Sequence, residues 1–310
     1  MDYCVPEIDD FDACLVYRKR LTKMLAGMKI VCDKDDECRS KLQAFAIKRG
    51  LPLEFLDSKG IFYMTAEMAL KFDEKYPVKQ PDTASVPKAE LRDKYNLWRI
   101  QSRRVSRFIG ASVKGKLNIL ADRVIYPLYS YMTDENGKAL ICGICGNDGS
   151  PGAMAKYIYC NTPYFFRSAY MYGEEELLRA AQCGVLFMAE GLVDKLWMEK
   201  EINASGYDWP AFASCGVTTT VEKMTKLRFV LSDSHLMYFP DRDKSGNDFT
   251  KELKQRFADN MTVVYVSAGN KDPADYFSGK VKAYDSTSFL HLLDEIANER
   301  VQYMKSFSLE

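Results

Sequence analysis

Four short, largely apolar runs separated by helix-forming segments constrain this chain more than any other feature of it. Val185 to Ala189, Ala211 to Cys215, His235 to Phe239 and Thr262 to Val266 read as strands. Leu192 to Ile202, Thr219 to Leu227 and Asp248 to Ala258 read as the helices between them. Short strands with little polar alternation are buried on both faces, and a helical crossover makes neighbouring strands parallel. The alternation predicts an α/β domain, a mainly parallel sheet flanked by helices. A final helix is expected from Ser286 to Lys305.

The preceding part is of another kind. Residues 1–40 have helical character. From Lys41 to Leu56 an amphipathic pattern is interrupted by Arg49-Gly50-Leu51-Pro52, a helix end and restart. A polar stretch with prolines, Tyr76 to Pro87, reads as a linker or exposed loop, and a helix follows from about Lys88 to Ile109. Val124 to Tyr131 and Lys138 to Ile144 flank Asp134-Glu135-Asn136-Gly137, whose Asn-Gly is a strong hairpin signal. A glycine-rich loop, Gly146 to Gly152, leads to another strand at Tyr157 to Cys160. The expected division is a helical segment (1–40), an α+β subdomain (41–182), the α/β domain (183–280) and a C-terminal helix (281–310).

In open parallel sheets, reactive groups gather at the carboxyl ends of the strands. Here Val185–Ala189 ends in Glu190-Gly191, with Asp194 one helical turn later. His235–Phe239 ends in Pro240-Asp241-Arg242-Asp243, and Thr262–Val266 is followed by Lys271-Asp272-Pro273-Ala274-Asp275. A lone Asp-x-Asp is usually a solvated turn. Carboxylates at three strand ends of one sheet repel each other unless cations intervene, and hard oxygen ligands suit Mg²⁺ or Mn²⁺.

Charge distribution points the same way. The 43 basic and 43 acidic residues cancel, which by itself argues against strong nucleic-acid binding. Yet Arg99, Arg103, Arg104, Arg107, Lys114 and Lys116 form a stretch without a carboxylate, either a solvated helix face or a phosphate-tracking one. The nine cysteines are irregularly spaced and odd in number, so reduced thiols are expected. Cys142 and Cys145 read as a buried strand rather than a metal pair, and no zinc is expected. No apolar run reaches the length of a membrane span and no leader pattern opens the chain, so a cytoplasmic protein is expected.

Glu-Gly after one strand and Asp-x-Asp after a later one resemble the Toprim signature of bacterial (DnaG-type) primases, topoisomerases and some nucleases. Further segments resemble the primases. Val185 to Asp194 is similar to their Toprim opening, Ala213 to Thr218 to the second strand and its turn, and Phe239 to Gly246 to the metal loop. Lys271 to Tyr276 is similar to the third acidic motif. Upstream, Arg123 to Leu128 with its hairpin, Lys156-Tyr157 with Asn161-Thr162-Pro163, and Phe45 to Tyr63 resemble the N-terminal part of the catalytic core. The resemblance covers about residues 41 to 280, in the family's order. It departs in lacking a zinc-ribbon domain and a helicase-binding domain, in Gly146-Asn147 where an arginine is usual, and in Ala274 within the usual Asp-Pro-Asp.

The resemblance implies a DNA primase that makes short RNA on single-stranded DNA from ribonucleoside triphosphates, as a monomer working with a replicative helicase. It implies Glu190, Asp241 and Asp243 as catalytic metal ligands, with Asp194, Asp272 and Asp275 as second-site candidates. Arg123, Lys156 and Tyr157 are implied for phosphate or template contact, although a structural ion pair suits Arg123 equally. Arg103, Arg104 and Arg107 would track the template, with Trp98 and Tyr126 available for stacking or for core packing. A Toprim nuclease using the same carboxylates is one alternative. A noncatalytic single-strand-binding or helicase accessory subunit is another.

Overall fold

The computed structural model describes residues 11–75, 120–148, 156–160, 165–265 and 291–299. The chain divides into two compact units, Met1–Arg167 and Ser168–Glu310. The Lys88–Ile109 helix, the Tyr76–Pro87 stretch, and the positions of Trp98, Arg103, Arg104, Arg107, Asp272 and Asp275 lie outside the described residues.

The first unit comprises α1 (Phe11–Asp33), α2 (Asp36–Arg49), α3 (Leu53–Ser58), β1 (Phe62–Met64), α4 (Ala66–Lys75), β2 (Arg123–Thr133), β3 (Ala139–Asn147) and β4 (Tyr157–Cys160). Helix α2 starts before Lys41 because Asp35, in extended conformation, caps it by accepting from the Cys38 N–H at 2.9 Å. It ends where Arg49-Gly50 predicts, with Gly50 left-handed (φ 66°) and donating to Ala46 and Ile47. Asp35→Ala is expected to cost about 1 kcal/mol, the usual loss for a carboxylate cap. A urea midpoint equal to that of the unmodified chain would show that the cap contributes nothing.

The four strands form an antiparallel sheet in the order β1-β2-β3-β4. At the hairpin, the Asp134 carboxylate accepts from Asn136 and Lys138 N–H groups, and Gly137 takes φ 76°. Cys142 is the extra residue of a bulge, since Gly143 faces Leu128 and Ile141 faces Tyr129; its thiol donates to the Leu128 carbonyl at 3.3 Å. Cys142 and Cys145 are both buried. Gly146 and Asn147 are not loop residues as expected, but the end of β3. A Cβ on Gly146 would meet Leu120 at 2.8 Å and Arg123 at 2.9 Å, so glycine is what allows the strand to continue there. Phe62, Met64, Ile125, Ile141 and Ile144 pack against Tyr17, Leu21, Leu25 and Met28 of α1. Tyr126 is wholly buried, so core packing is its place.

The second unit contains β5 (Val185–Ala189), α5 (Leu192–Ala204), β6 (Ala211–Ala213), α6 (Val221–Val230), β7 (His235–Phe239), α7 (Lys244–Phe257), β8 (Met261–Val263) and α8 (residues 291–299). The sheet is parallel throughout, in the order β6-β5-β7-β8. Alternate strand residues enter two separate cores. Leu186, Met188, Phe212, Leu236 and Tyr238 meet Met224 and Leu227 of α6 and Phe249 and Leu253 of α7. Val185, Phe187, Ala189, Met237 and Phe239 meet Met198 and Ile202 of α5 and Leu293 of α8. Burial on both faces is why β5, β6 and the part of β7 after His235 are apolar at every position. The α/β reading and its strand order along the chain hold.

Candidate active site

Strands β5 and β7 are neighbours in register, Ala189 beside Phe239, so the residues that follow them emerge together at the carboxyl edge. Glu190 follows β5 directly. Its Oε1 accepts from the Asp241 backbone N–H at 3.2 Å and from the Tyr238 hydroxyl at 3.3 Å. The same oxygen lies 2.5 Å from where a Cβ on Gly246 would be, and the Asp241 carbonyl oxygen lies 2.3 Å from it. Glycine at 246 is therefore what lets the β7 loop, the start of α7 and Glu190 close on one another.

Burial pushes the Glu190 carboxyl up to about 7, and the negative charges of Asp241 and Asp243 add to the rise. The two donated hydrogen bonds oppose it. Glu175, in the segment before β5, is also pushed up to about 7, chiefly by burial. A carboxyl raised in the folded state keeps its proton where the unfolded chain has lost it. Its stabilising contribution is thus full below about pH 4.5, the ordinary glutamate value, and is lost as pH climbs toward 7. Without divalent metal, Glu190→Gln and Glu175→Gln are each expected to flatten part of the fall in melting temperature between pH 5 and 7. Slopes unchanged in both variants would refute this.

Asp243 is turned toward α7. It caps the helix, its Oδ1 accepting from the Gly246 N–H at 2.9 Å, which is why α7 begins at Lys244 rather than at Asp248. Asp194 sits in the first turn of α5, 6% exposed, its carboxylate folded back against Gly191. Among the described residues no three His, Cys, Asp or Glu side chains are gathered as a metal cage. The structure brings together Glu190 and Asp241, with Asp243 on the same loop. Two adjacent carboxylates, Asp241 raising the protonation of Glu190, at a partly open sheet edge are the donor chemistry of a hard divalent cation that keeps several waters.

Beside them, the turn after β6 is held by a lysine that the sequence does not single out. Ser214 extends the parallel ladder by donating to the Ala189 carbonyl at 2.9 Å. Cys215 (φ 56°) and Gly216 (φ 116°) then reverse the chain. Lys223 of α6, 1% exposed, donates to the Ser214 carbonyl at 2.8 Å and to that of Gly216 at 3.5 Å. A lysine in an amphipathic helix reads as solvated, so no local signal marks it. Tyr238 likewise reads as a core aromatic, and only the fold reveals its hydroxyl at Glu190.

In the first unit, Arg123 opens β2 with its guanidinium 3.7 Å from Asp148. Lys156 is exposed just before β4, its ammonium 5.4 Å from the ring of Tyr157, the first residue of that strand. Among the described residues no helix is long and apolar enough to cross a membrane.

No family model and no curated protein matches the sequence. Solved structures do. The RNA polymerase domain of Mycobacterium tuberculosis primase DnaG aligns with a TM-score of 0.57 at 17% identity, covering 86% of this chain and 79% of that one. A DnaG primase catalytic domain bound to single-stranded DNA aligns at 0.57 and 16% identity, covering 91% and 80%. The E. coli primase catalytic core aligns at 0.55 and 15% identity, covering 88% and 78%. The chain has the fold of the DnaG primase catalytic core.

Proposed function

We propose that this chain is a DNA primase core, a nucleotidyltransferase that builds short RNA on single-stranded DNA. The observation that carries the reading is the pairing of Glu190 with Asp241 at the edge of a parallel sheet, within a chain that has the primase fold over most of its length. Its expected partners are single-stranded DNA, ribonucleoside triphosphates and a replicative helicase, and its expected state is a cytoplasmic monomer.

Glu190 and Asp241, with Asp243 from the same loop, would hold Mg²⁺ or Mn²⁺; Asp194, Asp272 and Asp275 remain second-site candidates. When bound, the cation supplies charge neutralisation and orientation for the triphosphate in an in-line displacement by a 3′-hydroxyl. The chain's own contribution is positional. Asp241 N–H and the Tyr238 hydroxyl fix one oxygen of Glu190, and the Gly246 contact fixes the loop bearing Asp241 and Asp243. Arg123, Lys156 and Tyr157, with Arg103, Arg104 and Arg107, are proposed for phosphate and template contact.

The test is incubation of the purified chain with single-stranded DNA, labelled ribonucleotides and Mg²⁺ or Mn²⁺. Short, template-dependent RNA is the expected product. Metal-dependent cutting of the template without synthesis would replace the primase by a nuclease. Tight single-strand binding with neither activity would favour the accessory role.

A further inference from the structure

Glu190 is held unsymmetrically. Its Oε1 accepts two hydrogen bonds, from the Asp241 N–H and from the Tyr238 hydroxyl, while Oε2 has no hydrogen-bond partner among the described residues. A carboxylate oxygen has two in-plane lone pairs, so Oε1 is saturated. Neither donor has room to leave. Asp241 N–H is backbone, anchored beside the Gly246 contact. Tyr238 is wholly buried, its ring set edge-on against Phe249 at 5.8 Å and 80°, among Leu186, Met188 and Leu253. Within that packing the hydroxyl meets Glu190 Oε1 at 3.3 Å, with the Thr250 hydroxyl as its other side-chain neighbour.

We propose that Tyr238 is a positioning residue that makes Glu190 a one-oxygen ligand and thereby sets the size of cation the site accepts. The inference rests on the metal-site reading above and deepens it. With Oε1 occupied, only Oε2 is offered. A single carboxylate oxygen suits a small ion with near-ideal octahedral geometry and retained waters. A larger ion such as Ca²⁺, which takes more oxygens and often grips a carboxylate through both of them, is disfavoured. Replacing the hydroxyl by hydrogen frees one lone pair of Oε1 without altering the ring that packs the core. Ca²⁺ then gains an oxygen that Mg²⁺ has little use for.

The experiment is equilibrium binding without nucleotide or template. Free Mn²⁺ is followed by electron paramagnetic resonance, with Mg²⁺ and Ca²⁺ as competitors, on the unmodified chain, Tyr238→Phe and Glu190→Gln, each checked for a cooperative melt. A hydrogen bond to a charged group is worth roughly tenfold or more in an equilibrium. The expected result is Glu190-dependent Mn²⁺ binding whose preference for Mg²⁺ over Ca²⁺ falls about tenfold in Tyr238→Phe, an effect that general loosening of the site, weakening both ions alike, does not produce. An unchanged ratio, with Mn²⁺ binding still lost in Glu190→Gln, overturns the role of Tyr238 and leaves the metal site standing. Mn²⁺ binding that is absent, or indifferent to Glu190→Gln, overturns both.

Discussion

Asp241→Asn is expected to reduce ribonucleotide incorporation by at least about a hundredfold, the scale on which removal of one preorganised charge at a reacting centre is felt. The substitution keeps the backbone N–H that holds Glu190 Oε1, so the geometry at Glu190 survives. It removes the charge that, after burial, contributes most to raising the Glu190 carboxyl. Metal-free protein at pH 8 should therefore melt no lower than the unmodified chain, because two like charges at a half-buried edge have become one. Loss of activity with unchanged or improved stability is the signature of a residue kept for chemistry rather than for folding. Incorporation within threefold of the unmodified chain would remove Asp241 from the reaction.

Gly246→Ala sets two effects against each other. Residue 246 lies inside α7, where alanine is favoured over glycine by about 1 kcal/mol. Its Cβ, however, would fall 2.3 Å from the Asp241 carbonyl oxygen and 2.5 Å from Glu190 Oε1. The first of these is backbone and has no rotamer in which to escape. Relief requires the loop from Pro240 to Asp243 to move, at a cost of about 1–3 kcal/mol typical of overpacking. The same movement disturbs the Gly246 N–H to Asp243 cap, worth about another 1 kcal/mol. Sterics outweigh propensity, and Gly246→Ala should lower the urea midpoint and remove activity together. Gly27, in α1, is the contrast: nothing lies within 4 Å of its Cβ position, so Gly27→Ala should raise the midpoint. If both substitutions stabilise, the close approach at Gly246 does not exist.

Much of the second unit was legible in advance. Val185–Ala189 and His235–Phe239 begin and end where expected, because a strand buried on both faces has an apolar sequence, His235 at the half-buried start of its strand excepted. The Arg49-Gly50 helix end and the Asn136-Gly137 turn were legible for a related reason. Each depends on one residue with left-handed backbone, which glycine adopts without strain. The carboxylates at Glu190, Asp241 and Asp243 were visible as the ends of strands in an alternating pattern.

Other features depended on residues distant in the chain. Gly146-Asn147 read as loop and is strand, since the Leu120 and Arg123 side chains occupy the space that the glycine leaves. Asp243 read as a metal ligand and, in the folded chain, also caps the helix that follows. Lys223 carries no local signal and is buried under the Ser214 turn. The Tyr238 hydroxyl meets a carboxylate 48 residues earlier in the chain. Local sequence determined where strands, turns and acidic strand ends lie, because periodicity and backbone freedom are properties of neighbouring residues. Only the tertiary structure decided which oxygen of Glu190 is held, because that depends on donors that parallel pairing of β5 with β7 brings together across the sheet.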